Sequence, residues 1–301
     1  MTTEPGSSVR PWRGEGVRHR PGMPAWAAPR GGPPTVLAEP WLAQARAARS
    51  PAHWAYGGAD GSGTRVCVLD TGIDASHPLV GGVQASMRVE LDASGQPQVV
   101  PAEATDSAGH GTACAGIIRS LAPRCSLTSV RVLTSGTQGG GAVLLAGLRW
   151  AIDEGYDVIN MSLSTSKPAL RAELAELCDV AYFRRSIICA SAHNAPVTSY
   201  PWRFAAVVSV ASADARTSED GQAPRHFYNL APPVEFFAPG VNVRVAWRAG
   251  AEISATGNSF ATPYIAGLCA RILSKHPDLT PFELKTLLYI TSANVGGRNV
   301  G

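Results

Sequence analysis

From Arg65 onward the chain alternates two kinds of apolar pattern. Short continuous apolar runs bounded by turn formers read as buried strands, and longer stretches with a helical apolar period read as helices. The runs predict strands over 66–69, 127–133, 158–163, 187–191, 205–211 and 234–237. Helices are predicted over 110–120, 142–154, 169–183, from Ser259 through the apolar run 264–273, and over 281–291. The second of these carries Leu144, Leu148, Ala151 and Ile152 on one face and closes at Gly155. The last opens on Thr280-Pro281-Phe282-Glu283, a capping box with proline at its first helical position. Strands alternating with helices imply a mostly parallel sheet covered by helices on both faces, a three-layer α/β domain. Ligands of such sheets bind beyond the carboxyl ends of the strands, where Asp70 falls.

Upstream the pattern stops. Residues 1–34 are rich in Pro, Gly, Arg and Ser, show no apolar period and are expected to be disordered. The folded domain is expected over 35–301, with a short helix at 37–48 and a loop at 57–63.

Three stretches carry chemistry. Gly257-Asn258-Ser259-Phe260-Ala261-Thr262-Pro263 leads into the apolar run, so Ser259 should lie at the N-terminus of a buried helix, beside unpaired N–H donors. Pro263 is read as part of that first turn, where its missing N–H costs nothing. Alone, a serine at this place is most often a cap. The run Arg65–Leu69 ends in Asp70-Thr71-Gly72, and Asp106-Ser107-Ala108-Gly109-His110-Gly111-Thr112 places a histidine between glycines at the mouth of a small-residue helix. Asp, His and Ser in that chain order, on D-T-G, H-G-T and S-x-A-T-P motifs, resemble the subtilisin-like serine proteases (subtilases, peptidase family S8). The resemblance covers residues from about 60 to about 292.

The resemblance implies a subtilisin-like fold and a serine endopeptidase working through an acyl-enzyme. Ser259 would be the nucleophile, His110 its general base and Asp70 the partner that orients the imidazole. Asn194, after a run similar to the family's strand ending in Ala-Gly-Asn, would donate to the oxyanion. His193 stands where the family usually has glycine, and Asn258 where it usually has threonine. Asp157-Val158-Ile159-Asn160-Met161-Ser162-Leu163-Ser164 is similar to the family's substrate edge. It implies a peptide or protein substrate added as a β-strand along Ser162, Leu163 and Ser164, with Gln138 and Gly139 on the opposite edge and His193 on the pocket wall. Tyr200-Pro201 resembles a family dipeptide that is often cis, and only residues 195–199 separate it from Asn194. Asp74 and His77 fall outside the motifs and are expected to be structural or to touch substrate, as is His193.

Composition narrows the setting. In 301 residues, 45% are hydrophobic and 16% charged, which suits one large core. The net charge of +3 comes largely from an arginine-rich start, read as a solvated tail with no nucleic-acid role. No stretch has the apolar length of a membrane span. The first residues show no apolar signal region, and the segment before the domain is too short to resemble an inhibitory pro-domain. Six scattered cysteines without a CxxC pair point to free thiols and the cytoplasm. No oxygen-rich insertion interrupts Ile117-Ile118-Arg119-Ser120-Leu121-Ala122-Pro123, so no metal and no cofactor are expected. The same site admits two rival roles. An amine could capture the acyl-enzyme, giving peptide ligation or macrocyclisation, or the fold could be an inactive binding module. An unusual pocket and no visible signal fit a dedicated processing protease.

Overall fold

The computed structural model describes residues 50–134, 140–214 and 225–295, together with 44, 45, 47 and 48. The expected disordered stretch 1–34, most of the helix expected at 37–48, and Gln138 and Gly139 lie outside the described residues. Residues 44, 45 and 47 are helical, and the first helix described in full is α1 (Pro51–Tyr56), capped by Ser50, whose hydroxyl accepts from the His53 N–H.

The sheet is assembled from β1 (Arg65–Asp70), β2 (Ala85–Leu91), β3 (Pro97–Pro101), β4 (Ser126–Arg131), β5 (Val158–Met161), β6 (Ile187–Ser191), β7 (Val208–Asp214), β8 (Phe227–Tyr228) and β9 (Phe236–Val241). Their order is β3-β2-β4-β1-β5-β6-β7-β9-β8. Every pairing from β2 across to β9 is parallel, and only the edge pairs β2–β3 and β8–β9 are antiparallel. Successive strand residues feed opposite faces, as the pleat requires. Val66 and Val68 enter one core with α2 (His110–Leu121), α5 (Asn258–Lys275) and α6 (Pro281–Ile290). Cys67 and Leu69 enter the other with α3 (Gly141–Asp153) and α4 (Arg171–Phe183). This is the expected three-layer α/β fold. Burial on both faces explains why β1 and β6 read as apolar runs, and β5 as one interrupted only by Asn160.

The sequence pattern missed what lies outside this double burial. The β2–β3 hairpin has one open face, on which Arg88 and Glu90 are exposed. Its turn is held by the Asp92 carboxylate, which accepts from the N–H groups of Ser94 (2.8 Å) and Gln96 (2.9 Å). A second hairpin, β10 (Val243–Ala246) and β11 (Glu252–Ala255), also went unread. Several strand ends moved. β5 stops at Met161, where the chain leaves the sheet, and β7 begins at Val208 rather than 205.

Pro263 is also corrected. It is the sixth residue of α5 and lies inside the helix, past the first turn. Its missing N–H leaves the Ser259 carbonyl without the usual partner four residues on. The Cys114 thiol points at that carbonyl from α2, at 3.7 Å.

Candidate active site

Asp70 ends β1 and is fully buried, and His110 opens α2. The His110 Nδ1 lies 2.7 Å from Asp70 Oδ1, which also accepts from the Thr71 N–H at 2.8 Å. Two devices bring these elements together. Gly111 allows contact: a Cβ there would lie 2.0 Å from the Gly72 carbonyl oxygen and 3.1 Å from the Asp70 Cβ. Asp106, a buried carboxylate that sequence reasoning passed over, supplies the clamp. Its Oδ1 accepts from the Thr71 hydroxyl (2.9 Å) and the N–H groups of Ala108 (3.0 Å) and Gly109 (2.9 Å). Its Oδ2 accepts from the Thr112 N–H (2.9 Å) and hydroxyl (2.8 Å). One carboxylate thus satisfies orphan donors at the start of α2 and ties them to the Asp70 turn. The available signal was an acid four residues before a histidine at a helix start.

The electrostatics follow from this packing. Burial alone would pull the His110 pKa down, but the Asp70 charge, its hydrogen bond and the Asp106 charge outweigh it and raise the pKa above the usual 6.5. The ring also packs against Phe260, centroid to centroid at 5.4 Å.

Ser259 is the second residue of α5, and Gly257 is the N-cap, with no side-chain capping bond. The cap reading of Ser259 therefore falls away. Ser259, His110, Ser162, Leu163, Ser164, His193 and Asn194 line one cleft of about 670 Å³. Gly140 and Gly141, which directly follow the expected opposite edge at Gln138 and Gly139, line the same cleft. Asn194 Oδ1 accepts from the Asn258 N–H at 3.0 Å, which turns Nδ2 the other way. A Cβ on Gly257 would stand 3.4 Å from Ser259 Oγ and 3.6 Å from Asn194 Nδ2. The hydroxyl and the amide N–H₂ thus border one small space that the glycine keeps open.

The remaining candidates are sorted by their partners. His77 is buried, with Nε2 2.9 Å from the Ala251 carbonyl and Nδ1 accepting from the Leu79 N–H, so its role is structural. Asp74 caps a local turn at Ser76. His193 is exposed on the cleft, and its Nδ1 accepts from the Ala195 N–H at 3.0 Å. The Tyr200–Pro201 bond is cis, and Tyr200 pairs with Thr165 through two backbone bonds of 2.8 and 2.9 Å behind the short 195–199 loop.

Among the described residues, one cluster of potential metal ligands is present: Asp70, His110 and Cys114, with ligand atoms within 4.8 Å of one another. Cys114 is fully buried, 3.8 Å from Asp70 Oδ2, and burial followed by the Asp70 charge pushes its thiol well above the ordinary range. Burial therefore disfavours the thiolate, the form that ligates a metal.

A mostly parallel three-layer sheet with an Asp–His pair and a helix-borne serine on one cleft defines a hydrolase of the serine-peptidase class. The chain belongs to the subtilase family, whose model matches residues 61–300. It is similar to Subtilisin DY of Bacillus licheniformis, 31% identical over 79% of this chain and 87% of that protein. It is also similar to the Thermostable alkaline protease of Halalkalibacterium halodurans, 32% identical over 78% of this chain but 64% of that longer protein. Among solved structures, a cold-adapted subtilisin-like serine proteinase aligns with a TM-score of 0.61 and 28% identity over 76% of this chain and 82% of its own. Sphericase aligns at 0.63 and 26% identity, over 75% and 82%. The protein is a subtilisin-like serine endopeptidase, and peptides are its substrates. Among the described residues no helix is long and apolar enough to cross a membrane.

Proposed function

We propose that Asp70, His110 and Ser259 form the catalytic triad and Asn194 the side-chain oxyanion donor. The observation that carries this reading is the 2.7 Å contact between His110 Nδ1 and buried Asp70, with Ser259 on the cleft that His110 lines. His110 takes the Ser259 proton as the hydroxyl attacks the scissile carbonyl, then delivers it to the leaving amine. The paired Asp70 carboxylate stabilises the imidazolium formed between these steps. The developing oxyanion meets Asn194 Nδ2 and the Ser259 backbone N–H, which lies in the first turn of α5 and has no intrahelical acceptor. Water then releases the acyl group.

Substrate adds as a strand along Ser162–Leu163–Ser164, where the chain has left β5 and its edge faces the cleft. A dedicated processing role is supported by His193 on the cleft, where the resemblance puts glycine. Six unpaired, buried cysteines support a reducing compartment as its place of work. The test is fluorophosphonate labelling. Wild type should be labelled at Ser259 and the folded Ser259→Ala variant should not, and labelling that persists in the variant overturns the triad. Product masses from a peptide library should show hydrolysis, and products joined to an added amine would instead establish ligation.

A further inference from the structure

We propose that Asn258 is a positioning residue: its side chain clamps the oxyanion segment to β7 and so sets Asn194 against Ser259. The proposal rests on the reading of Asn194 as the oxyanion donor. The Asn258 amide uses its full capacity of two accepted and two donated bonds. Oδ1 accepts from the Ser212 N–H at 2.9 Å and the Ser212 hydroxyl at 2.8 Å. Nδ2 donates to the carbonyls of Ala192 and His193, each at 3.3 Å. The Asn258 backbone N–H meanwhile donates to Asn194 Oδ1.

These bonds join three elements. Ser212 belongs to β7, Ala192 and His193 follow the end of β6, and Asn258 immediately precedes Ser259 at the start of α5. The junction has no slack on the neighbouring strand: a Cβ on Gly240 of β9 would lie 2.6 Å from the Ser212 Cβ and 2.9 Å from the Gly257 carbonyl. Ala192 and His193 carry Asn194, so the clamp grips the donor from its own backbone while the Asn258 N–H grips its side chain. Only a planar amide can accept on one side and donate twice on the other. Threonine, the residue the resemblance puts here, has one hydroxyl proton and cannot reach both partners. Aspartate keeps the acceptor side and turns a negative oxygen toward two carbonyls.

Oxyanion donors act in the transition state and little in the ground state, so a loosened donor lowers kcat and leaves KM nearly unchanged. Asn258→Ala should lower kcat about tenfold to a hundredfold, the range expected for misplacement on the order of 1 Å. Asn258→Asp, nearly the same volume, should lose at least as much. The discriminating measurement is a double-mutant cycle, because residues acting through one another are not additive. In an Asn194→Ala background, Asn258→Ala should cost less than about threefold.

Ser212→Ala removes one bond of the clamp from outside the cleft. It should give a smaller kcat loss that vanishes in the Asn194→Ala background, and it keeps the proposal testable if Asn258→Ala does not fold. Fluorophosphonate titration would normalise every rate to competent sites. A kcat within twofold of wild type for Asn258→Ala, or a full multiplicative loss on top of Asn194→Ala, overturns the proposal. An unchanged kcat in Asn194→Ala alone would overturn the donor assignment instead, so the two failures are distinguishable.

Discussion

Replacing Asp70 by asparagine tests the electrostatics of the site most directly, because it removes a charge and almost no volume. The carboxylate is fully buried, and its Oδ1 lies 2.7 Å from His110 Nδ1. At an effective dielectric of about 20, a unit charge at that distance stabilises an imidazolium by about 6 kcal/mol. The equivalent change in a serine-protease triad costs about ten-thousand-fold in kcat, or about 5.4 kcal/mol, so the two routes agree. An asparagine presenting its N–H₂ to Nδ1 would also move the imidazole proton to Nε2, the nitrogen that must accept from Ser259.

The pH profile gives an independent reading. In the wild type His110 must be neutral to act as base, and its pKa is raised. Activity should therefore fall as the pH drops through a midpoint above 6.5. A raised histidine contributes stability in the protonated state, and that contribution is lost as the pH rises through the folded pKa. Without the Asp70 charge, the larger burial effect is weakly opposed and the acid limb should shift to lower pH. The assay is kcat/KM on a peptide anilide across pH, alongside thermal melts. A folded Asp70→Asn variant that keeps kcat/KM within about tenfold, or an unmoved acid limb, would refute this account of the charge.

Two further substitutions probe how the site is held. Cys114→Ala should remain active and resist a small mercurial that slowly inactivates the wild type, since its buried thiol contacts Asp70 and the Ser259 carbonyl; equal inhibition of both would place the reactive thiol elsewhere. Gly111→Ala drives a methyl onto the Gly72 backbone and should cost about 3 kcal/mol or more, seen as a melting temperature lowered by about 6 °C or more; an unchanged melting temperature would show that the α2–β1 contact yields.

The sequence alone determined the elements whose reasons are local. Strands buried on both faces must be largely apolar, so β1, β5 and β6 were visible as runs. The Asp70, His110 and Ser259 motifs were legible because each joins a polar group to glycines or small residues at the end of a strand or the start of a helix, and that demand is written within a few positions. Tertiary structure decided whatever depends on a distant partner. Asp106 shows its role only once Thr71, 35 residues away, turns toward it. Asn258 reads as a mere departure from threonine until Ser212, 46 residues earlier, comes within 2.8 Å. The Ser259 carbonyl, left open by Pro263 in its own helix, faces a thiol from another. Local pattern carries burial and turn chemistry, whereas a hydrogen bond between remote segments leaves no period in the chain, because its geometry exists only after the sheet has brought the strands together.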